Sequence, residues 1–200
     1  MTRKKRILFI GEGGSLAHIV RPLVLAKLLD PERFEISFAC ALWYKWLLDH
    51  SGFQYFPLPT MTRDDFRDHL SAGQPLYNRA TLEEYVAAEL DLFKKLSPDL
   101  IVGDFRISLG VSTQLTKIPY AAISNAFWSP NSTLKKIVPD LGFLKFTGRQ
   151  LGQLIFDLAY PIAATTTHSH GFNAVRKSYG LPPFKRLEEI YTFADWTLYT

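Results

Sequence analysis

The sequence of 200 residues contains one cysteine, Cys40, so no internal disulfide can hold the fold together. Cys40 lies in the apolar stretch FEISFACAL, where it is typical of a small core residue. No apolar run approaches the length of a membrane span, and the apolar stretch after the basic leader TRKKR is too short for a signal peptide. These absences predict a cytoplasmic protein that depends on its hydrophobic core.

The net charge is also small, because 19 Asp and Glu residues nearly balance 23 Lys and Arg residues. No RNP, helix-turn-helix or zinc-finger pattern accompanies this mild basic excess, so we expect no nucleic-acid partner. The sequence has no Gly-Lys-Ser/Thr, which excludes a P-loop, and no Gly-x-Ser-x-Gly elbow, which excludes a hydrolase triad of that type.

The turn GEGGSL follows the first apolar run and invites comparison with a dinucleotide-binding loop. Leu16 stands where that fingerprint needs its third glycine, and no acidic residue closes the second strand. The turn is therefore not expected to bind a dinucleotide. A strand-to-helix turn without any ligand remains an alternative.

Short apolar runs alternate with helical patterns along the chain. The runs ILFIG, FEISFA, FQYFPL, LIVGD, PYAAIS and DWTLYT predict strands. Their alternation with helices predicts right-handed βαβ units and a doubly wound, mostly parallel, Rossmann-like α/β sheet. We expect the first five strands in the order 3-2-1-4-5, within one domain over residues 1–200.

Helix boundaries follow from caps and prolines. Pro22 suits a first helical turn, so the first helix is predicted to begin near it, with His18 in the preceding loop. Residues 59–80 are polar and irregular and predict a long loop with room for one helical turn. Thr81, followed by Glu84, predicts a capping box at the start of the next helix.

Two polar side chains follow strands that should be neighbours. His18 comes after the first strand, and Asp104 closes the fourth. In this strand order the two strands lie about 4.8 Å apart and flank the switch point at which ligands bind. A carboxylate that accepts the proton of one ring nitrogen allows the other nitrogen to act as a general base. The alternatives are a structural or solvated histidine and an aspartate that caps the following helix.

Two further groups of residues are weaker candidates. The spacing of His168 and His170 resembles that of a pair of metal ligands. Side chains at i and i+2 of a helix point to different sides, so we expect surface histidines and no metal. A stretch after the fifth strand mixes aromatic and basic residues, and it fits either an acidic or peripheral membrane partner or an apolar rim of an acceptor cleft. It contains Trp128, Lys135, Lys136, Phe143, Lys145, Phe146 and Arg149.

Three segments follow one another in an order that is typical of a known family. They are the glycine-rich turn with His18, Pro22 and LVLAKLL, then SPDLIVGDFRISLGVSTQLTKIPYAAIS, and finally SYGLPPFKRLEEIYTFADWTLYT. Together they resemble the N-terminal, acceptor-binding domain of UDP-glycosyltransferase-like enzymes of the GT-B fold, such as the macrolide glycosyltransferases. The family's Gly-His-x-x-Pro pattern is matched incompletely, because Ala17 replaces the glycine and one extra residue separates His18 from Pro22.

The resemblance implies roles for the two polar side chains. His18 would deprotonate a hydroxyl of the acceptor, and Asp104 would orient His18. The reaction implied is inverting, metal-independent transfer from a nucleotide sugar, UDP- or dTDP-linked, without a resident cofactor. The acceptor would be a small molecule or a lipid, and its expected contacts are Gly13, Gly14, Asn125, Phe127 and Trp128.

The resemblance also implies that the family's C-terminal, nucleotide-sugar-binding domain lies outside these 200 residues. We therefore expect the chain alone to be inactive and to need a donor-binding domain in cis or in trans. Two alternatives stay open. One is a non-enzymatic binding module that uses the same cleft for a small apolar ligand or a membrane-associated partner, and the other is a nucleotide-binding or epimerase-like sheet enzyme.

Overall fold

A computed structural model describes residues 3–138 and 144–200. Within these ranges six parallel strands form one sheet in the order β3-β2-β1-β4-β5-β6. The strands are β1 (Lys5–Gly11), β2 (Phe34–Cys40), β3 (Gln54–Pro57), β4 (Leu100–Asp104), β5 (Tyr120–Ser124) and β6 (Trp196–Tyr199). The predicted α/β class and the predicted order of the first five strands are confirmed.

The helices flank this sheet. They are α1 (Ala17–Lys27), α2 (Arg63–Ser71), α3 (Arg79–Leu96), α4 (Leu109–Thr116), α5 (Leu144–Ala163), α6 (His170–Ser178) and α7 (Leu187–Thr192). None of the described helices combines the length and the apolar composition that crossing a bilayer requires.

The central strands are buried on both faces, as continuous apolar runs predict. On one face of β1, Phe9 packs against α1. On the opposite face, Leu8 and Ile10 pack against Leu109 of α4. Cys40 is buried at the end of β2, and burial raises the pKa of its thiol to about 12. The core therefore fixes the carboxyl ends of β1 and β4 side by side.

The first helix begins earlier than Pro22 predicts. Backbone amides of His18 and Ile19 donate to the carbonyls of Ser15 and Leu16, so α1 begins at Ala17 and includes His18. Pro22 lies inside this helix, where it lacks the N–H that would bond the His18 carbonyl. The prediction of His18 in a free loop is therefore wrong.

The segment predicted as a long loop contains the helix α2. Thr62 caps this helix, because its hydroxyl accepts a hydrogen bond from the amide of Asp65 at 3.1 Å. None of the α2 residues is fully buried, so the segment lacks the apolar periodicity that announces a helix.

The cap of α3 also differs from the prediction. Asn78 accepts a hydrogen bond from the Thr81 amide at 2.9 Å, so Asn78 is the N-cap and Thr81 lies within the first turn. The predicted capping box of Thr81 and Glu84 does not start this helix.

Gly11 is a point of close approach between β1 and α1. A Cβ atom at Gly11 would lie 2.5 Å from the His18 carbonyl oxygen and 2.6 Å from the Ile19 side chain. Only a residue without a side chain allows this contact.

We therefore expect Gly11→Ala to destabilise the protein by about 1–3 kcal/mol or more, because the added methyl group overpacks a backbone contact. Thermal unfolding measures the effect. Leu28→Ala, at a side chain that is 78% exposed, is the control and should leave the melting temperature nearly unchanged. Equal melting temperatures for Gly11→Ala and the wild type would contradict this description of the β1–α1 contact.

Candidate active site

The carboxyl ends of β1 and β4 form the edge at which the predicted site residues meet. Gly11 pairs in register with Asp104, and the amide of Glu12 donates to the Asp104 carbonyl at 3.1 Å. The predicted adjacency of the glycine-rich turn and Asp104 is therefore present in the structure.

The carboxylate of Asp104 is bound by Arg21. Arg21 Nε donates to Asp104 Oδ2 at 2.8 Å, and Arg21 Nη2 donates to Asp104 Oδ1 at 2.6 Å. This is a two-pronged pair, and the aspartate side chain in it is fully buried. Burial raises the pKa of Asp104 to about 7, although the hydrogen bonds and charge of Arg21 act in the opposite direction.

The expected hydrogen bond between His18 and Asp104 is not present among the contacts of these described residues. Because α1 begins at Ala17, Arg21 lies three residues after His18 on the same side of the helix, and its longer side chain reaches the carboxylate. Asp104 does not cap the following helix either, since α4 has Ser108 at its N-cap position.

Arg21 also forms hydrogen bonds at the carboxyl ends of β5 and β6. Its Nη1 atom donates to Asn125 Oδ1 at 2.8 Å and to Thr200 Oγ1 at 2.7 Å. Asn125 follows β5, and Thr200 follows β6. The predicted acceptor residue Asn125 is thus part of a polar cluster centred on Arg21.

His18 is buried in an aromatic environment. The residue is 7% exposed, and its ring stacks on Phe105 with centroids 4.5 Å apart. The ring of Phe66 packs edge-to-face with it, with centroids 6.2 Å apart. The buried Nδ1 atom finds no hydrogen-bond partner among the described residues. Burial, together with the positive charge of Arg21, lowers the pKa of His18 to about 4. At neutral pH the ring is uncharged and can accept a proton.

A row of aromatic rings extends from His18 along the edge of the sheet. Phe105 stacks on Tyr191 at 5.1 Å, Tyr191 on Trp128 at 4.3 Å, and Trp128 contacts Phe127 at 5.2 Å. Phe105 adopts φ +55°, a left-handed conformation that is strained for a bulky residue. We call His18, Phe105, Tyr191, Trp128 and Phe127 the aromatic row. It joins two predicted acceptor residues to the predicted base.

Gly13 and Gly14 have close neighbours within the protein. A Cβ atom at Gly13 would lie 1.9 Å from Thr60 Oγ1, and one at Gly14 would lie 2.7 Å from the ring of Phe66. Both glycines let the segment around α2 pack against the turn. Their contact with a substrate stays a prediction.

Behind the turn lies a buried network of charges. Arg106 Nε donates to Glu89 Oε1 at 2.7 Å, and Arg106 Nη1 donates to Glu12 Oε2 at 3.2 Å and to the Pro59 carbonyl at 2.7 Å. The guanidinium lies 3.7 Å from the ring centroid of Tyr85, and Glu12, Glu89 and Arg106 are almost completely buried. We call Glu12, Glu89 and Arg106 the buried ion network.

Each carboxylate of the buried ion network has further donors. Glu89 accepts hydrogen bonds from the hydroxyls of Ser108 and Ser112, and Glu12 accepts from the amides of Gly13 and Met61, both at 3.1 Å. Burial raises the pKa of Glu12, while Arg106 and the two amides lower it. The network fixes the glycine-rich turn, the segment before α2 and the β4–α4 turn in one arrangement.

The stretch that mixes aromatic and basic residues is partly engaged. Lys135 pairs with Asp157 at 3.4 Å, and Lys136 pairs with Glu188. The described part of the chain therefore leaves less free positive charge here than the sequence predicts. Three of the predicted members fall outside what is described, namely Phe143 and the side chains of Lys145 and Phe146.

The two weaker histidine candidates lie in different elements. His168 is half-buried at the end of a short π-helical turn, and His170 is exposed at the start of α6. In residues 3–138 and 144–200, no three or more His, Cys, Asp or Glu side chains gather as a metal site would need.

A groove of about 580 Å³ runs beside α2 and the start of α3. Buried side chains of Met61, Tyr77 and Tyr85 line it, together with the more exposed Asn78 and His170. The Tyr77 hydroxyl is buried and has no hydrogen-bond partner within the described ranges. The groove combines an aromatic lining with polar groups.

The buried ion network predicts a large stability effect. Arg106→Met should destabilise the protein by about 3–5 kcal/mol, because it leaves two buried carboxylates without their cation. Glu89→Gln in the Arg106→Met background should recover part of the loss. Arg67→Met is the matched control, since Arg67 pairs with Asp64 and Asp68 on the surface, and it should cost less than about 1 kcal/mol. Equal losses for the two arginines in chemical denaturation would contradict the assignment.

The environment of His18 predicts how stability depends on pH. The unfolded chain takes up a proton at His18 near pH 6.5, whereas the folded chain does so only near pH 4. His18 therefore destabilises the fold as the pH falls from 6.5 to 4. The free energy of unfolding of His18→Gln should fall less over this window than that of the wild type. Parallel curves for the two proteins would show that His18 titrates normally.

Sequence comparison shows that the chain is similar to mycobacterial glycosyltransferases. No family model matches the sequence. The chain is 38% identical over 200 residues to the "Inactive PGL/p-HBAD biosynthesis glycosyltransferase" of Mycobacterium bovis. The aligned region covers 100% of this chain and 54% of that protein. The chain is equally similar to the "PGL/p-HBAD biosynthesis glycosyltransferase" of Mycobacterium tuberculosis, with 46% of that protein covered. A "PGL/p-HBAD biosynthesis rhamnosyltransferase" of Mycobacterium bovis is 40% identical over 198 residues, which are 98% of this chain and 44% of that protein. The chain thus spans about half the length of the curated relatives it matches.

Solved structures show the same fold at low sequence identity. The glycosyltransferase of kitacinnamycin has a TM-score of 0.61 and 14% identity, over 99% of this chain and 46% of that one. The spinosyn forosaminyltransferase SpnP has a TM-score of 0.55 and 15% identity, over 98% and 46%. The glycosyltransferase SsfS6 of Streptomyces sp. SF2575 has a TM-score of 0.51 and 17% identity, over 90% and 47%. The chain therefore has the Rossmann-like fold found in one half of GT-B glycosyltransferases, and its whole length is similar to about half the length of mycobacterial glycosyltransferases.

Proposed function

We propose that this chain is the acceptor-binding half of a cytoplasmic glycosyltransferase. The complete protein would transfer a sugar from a nucleotide sugar to a hydroxyl group of an acceptor, with inversion and without a metal or resident cofactor. The observation that carries the proposal is the buried His18 at the carboxyl edge of β1, at the start of the aromatic row. This arrangement occurs in a chain whose whole length is similar to glycosyltransferases.

His18 is the group we assign as the general base. Its Nδ1 atom is buried, so we assign Nε2 as the nitrogen that accepts the acceptor's proton. As the proton moves to Nε2, the acceptor oxygen forms a bond to the anomeric carbon of the sugar. The bond from that carbon to the nucleoside diphosphate breaks on the opposite side, which inverts the configuration. A ring that is uncharged at neutral pH is ready for this step.

The aromatic row favours an acceptor with a flat apolar body next to its hydroxyl group. Phe127 is 36% exposed and Trp128 is partly exposed, so rings are available for stacking at the outer end of the row. Gly13, Gly14 and Asn125 complete the set of proposed acceptor contacts.

The nucleotide sugar would be bound mainly by a second domain, joined in cis or supplied in trans. The Streptomyces glycosyltransferase SsfS6 has also been solved with thymidine diphosphate. This supports a dTDP-linked sugar as the co-substrate of the complete protein, and the family resemblance gives a UDP-linked sugar as the alternative.

The experiment joins this chain to the remaining half of the Mycobacterium tuberculosis glycosyltransferase and measures transfer from UDP- and dTDP-sugars to phenolic and aliphatic hydroxyl compounds. His18→Ala should lower kcat about 10²-fold or more, because general-base assistance is lost. His50→Ala is the matched control and should keep the activity, since His50 is exposed in the turn before β3. The native relative, assayed in parallel, shows that its donor half is functional. Full activity of His18→Ala would overturn the assignment.

A binding module without catalysis is the second candidate. It is favoured by one observation, namely that Arg21 and not His18 holds the Asp104 carboxylate. One of the mycobacterial relatives is itself named inactive. Tight binding of an aromatic compound by this chain, together with a chimera that transfers no sugar while the native relative does, would favour this candidate.

A further inference from the structure

The side chain of Arg21 makes four hydrogen bonds at the edge of the sheet. Two go to the two oxygens of Asp104, one to Asn125 and one to Thr200. The planar guanidinium fixes the plane of a carboxylate when it binds both oxygens in this way. The orientation of Asp104 is therefore set by Arg21.

His18 lies one turn before Arg21 on α1, and its ring lacks a hydrogen-bond acceptor among the described residues. Its Nδ1 atom is buried and has no hydrogen-bond partner in the described part of the chain. A buried polar atom without a partner is unfavourable, and the tautomer of an imidazole is fixed only when one nitrogen is engaged. The ring is held by stacking on Phe105 instead.

The other charged groups around His18 are engaged elsewhere. Glu12, in the turn before α1, accepts hydrogen bonds from Arg106 and from two backbone amides. Asp65, on α2 beside Phe66, accepts one from the Thr62 hydroxyl. Asp104 is thus the buried carboxylate at this edge that a movement of one side chain would release.

We propose that Arg21 is a positioning residue that keeps the Asp104 carboxylate away from His18, so that Asp104 orients the ring only when the Arg21–Asp104 pair opens. This inference rests on the proposed function of His18 as the base. In the closed arrangement His18 is a weak base without a fixed tautomer. In the open arrangement the carboxylate accepts the proton of Nδ1 and leaves Nε2 free to take the proton of the acceptor.

The test compares the His18 ring in variants of the 200-residue chain by NMR titration with nitrogen-15 labelling. Arg21→Gln removes the guanidinium and frees Asp104. Loss of the guanidinium also removes the group that lowers the pKa of Asp104, so the tautomer is measured at alkaline pH, where the carboxyl is ionised. There we expect the neutral ring to carry its proton on Nδ1. We also expect the titration midpoint of His18, which is coupled to that of Asp104, to rise by more than one pH unit, a gain of more than 10-fold in proton affinity.

The double variant Arg21→Gln with Asp104→Asn separates the carboxylate from the loss of the arginine charge. It should show a smaller rise of the midpoint and no preference for the Nδ1–H tautomer. A structural role of Arg21 alone would give the same midpoint and tautomer with and without Asp104, and this result would overturn the proposal. His18→Gln identifies the resonances, and Arg67→Gln is the control for removing an exposed arginine.

Circular dichroism and thermal unfolding show whether the variants are folded. Where Arg21→Gln unfolds, Arg21→Lys replaces it with and without Asp104→Asn, because a single ammonium group cannot bind both carboxylate oxygens as the guanidinium does. The titration needs no sugar transfer. An inactive chimera with the expected titration would reject the proposed function alone, and an active chimera with identical midpoints would reject only the role of Arg21.

Discussion

The buried guanidinium of Arg106 is the interaction on which the edge of the sheet depends. It binds Glu12 of the glycine-rich turn, Glu89 of α3 and the Pro59 carbonyl, and it lies on the ring of Tyr85. Four segments that are distant in sequence are thereby held together without exposure to water. A buried charge is stable only when it is paired with opposite charge, so these contacts strongly determine the arrangement of the turn.

The position of His18 follows from this frame. The fixed turn starts α1 at Ala17, which places His18 under the ring of Phe105 and Arg21 over Asp104. Burial and the nearby positive charge keep the imidazole uncharged. In the proposed mechanism, the pairing of Arg21 with Asp104 that stabilises the edge also keeps the carboxylate from His18. Under that proposal, stability and catalysis make opposite demands on Asp104.

The sheet could be predicted from the sequence because its strands are continuous apolar runs between turn residues. The placement of the glycine-rich turn beside Asp104 followed from the strand order alone. The hydrogen bonding of His18 and Asp104 could not be predicted, because it depends on the start of α1 and on the reach of Arg21. Pro22 led to a wrong prediction of where α1 begins. The helix tolerates the lack of an N–H at Pro22, because the His18 carbonyl that would accept its hydrogen bond lies against Gly11.

The buried ion network was missed, although one of its members had a signal. Glu89 lies on the apolar face of α3, in line with Leu82, Val86 and Phe93, and a carboxylate at such a position needs a buried partner. Nothing in the sequence says that this partner is Arg106. Phe105 and Tyr191 were missed because aromatic residues in turns and short helices are read as core until their neighbours are known.

A crystal structure of the chimera with UDP or dTDP and a bound acceptor tests the central claim most directly. We expect the reacting hydroxyl within about 2.6–3.2 Å of His18 Nε2, with the body of the acceptor on the aromatic row. An acceptor held in the groove beside Asn78 and His170, with its hydroxyl out of reach of His18, would contradict this account.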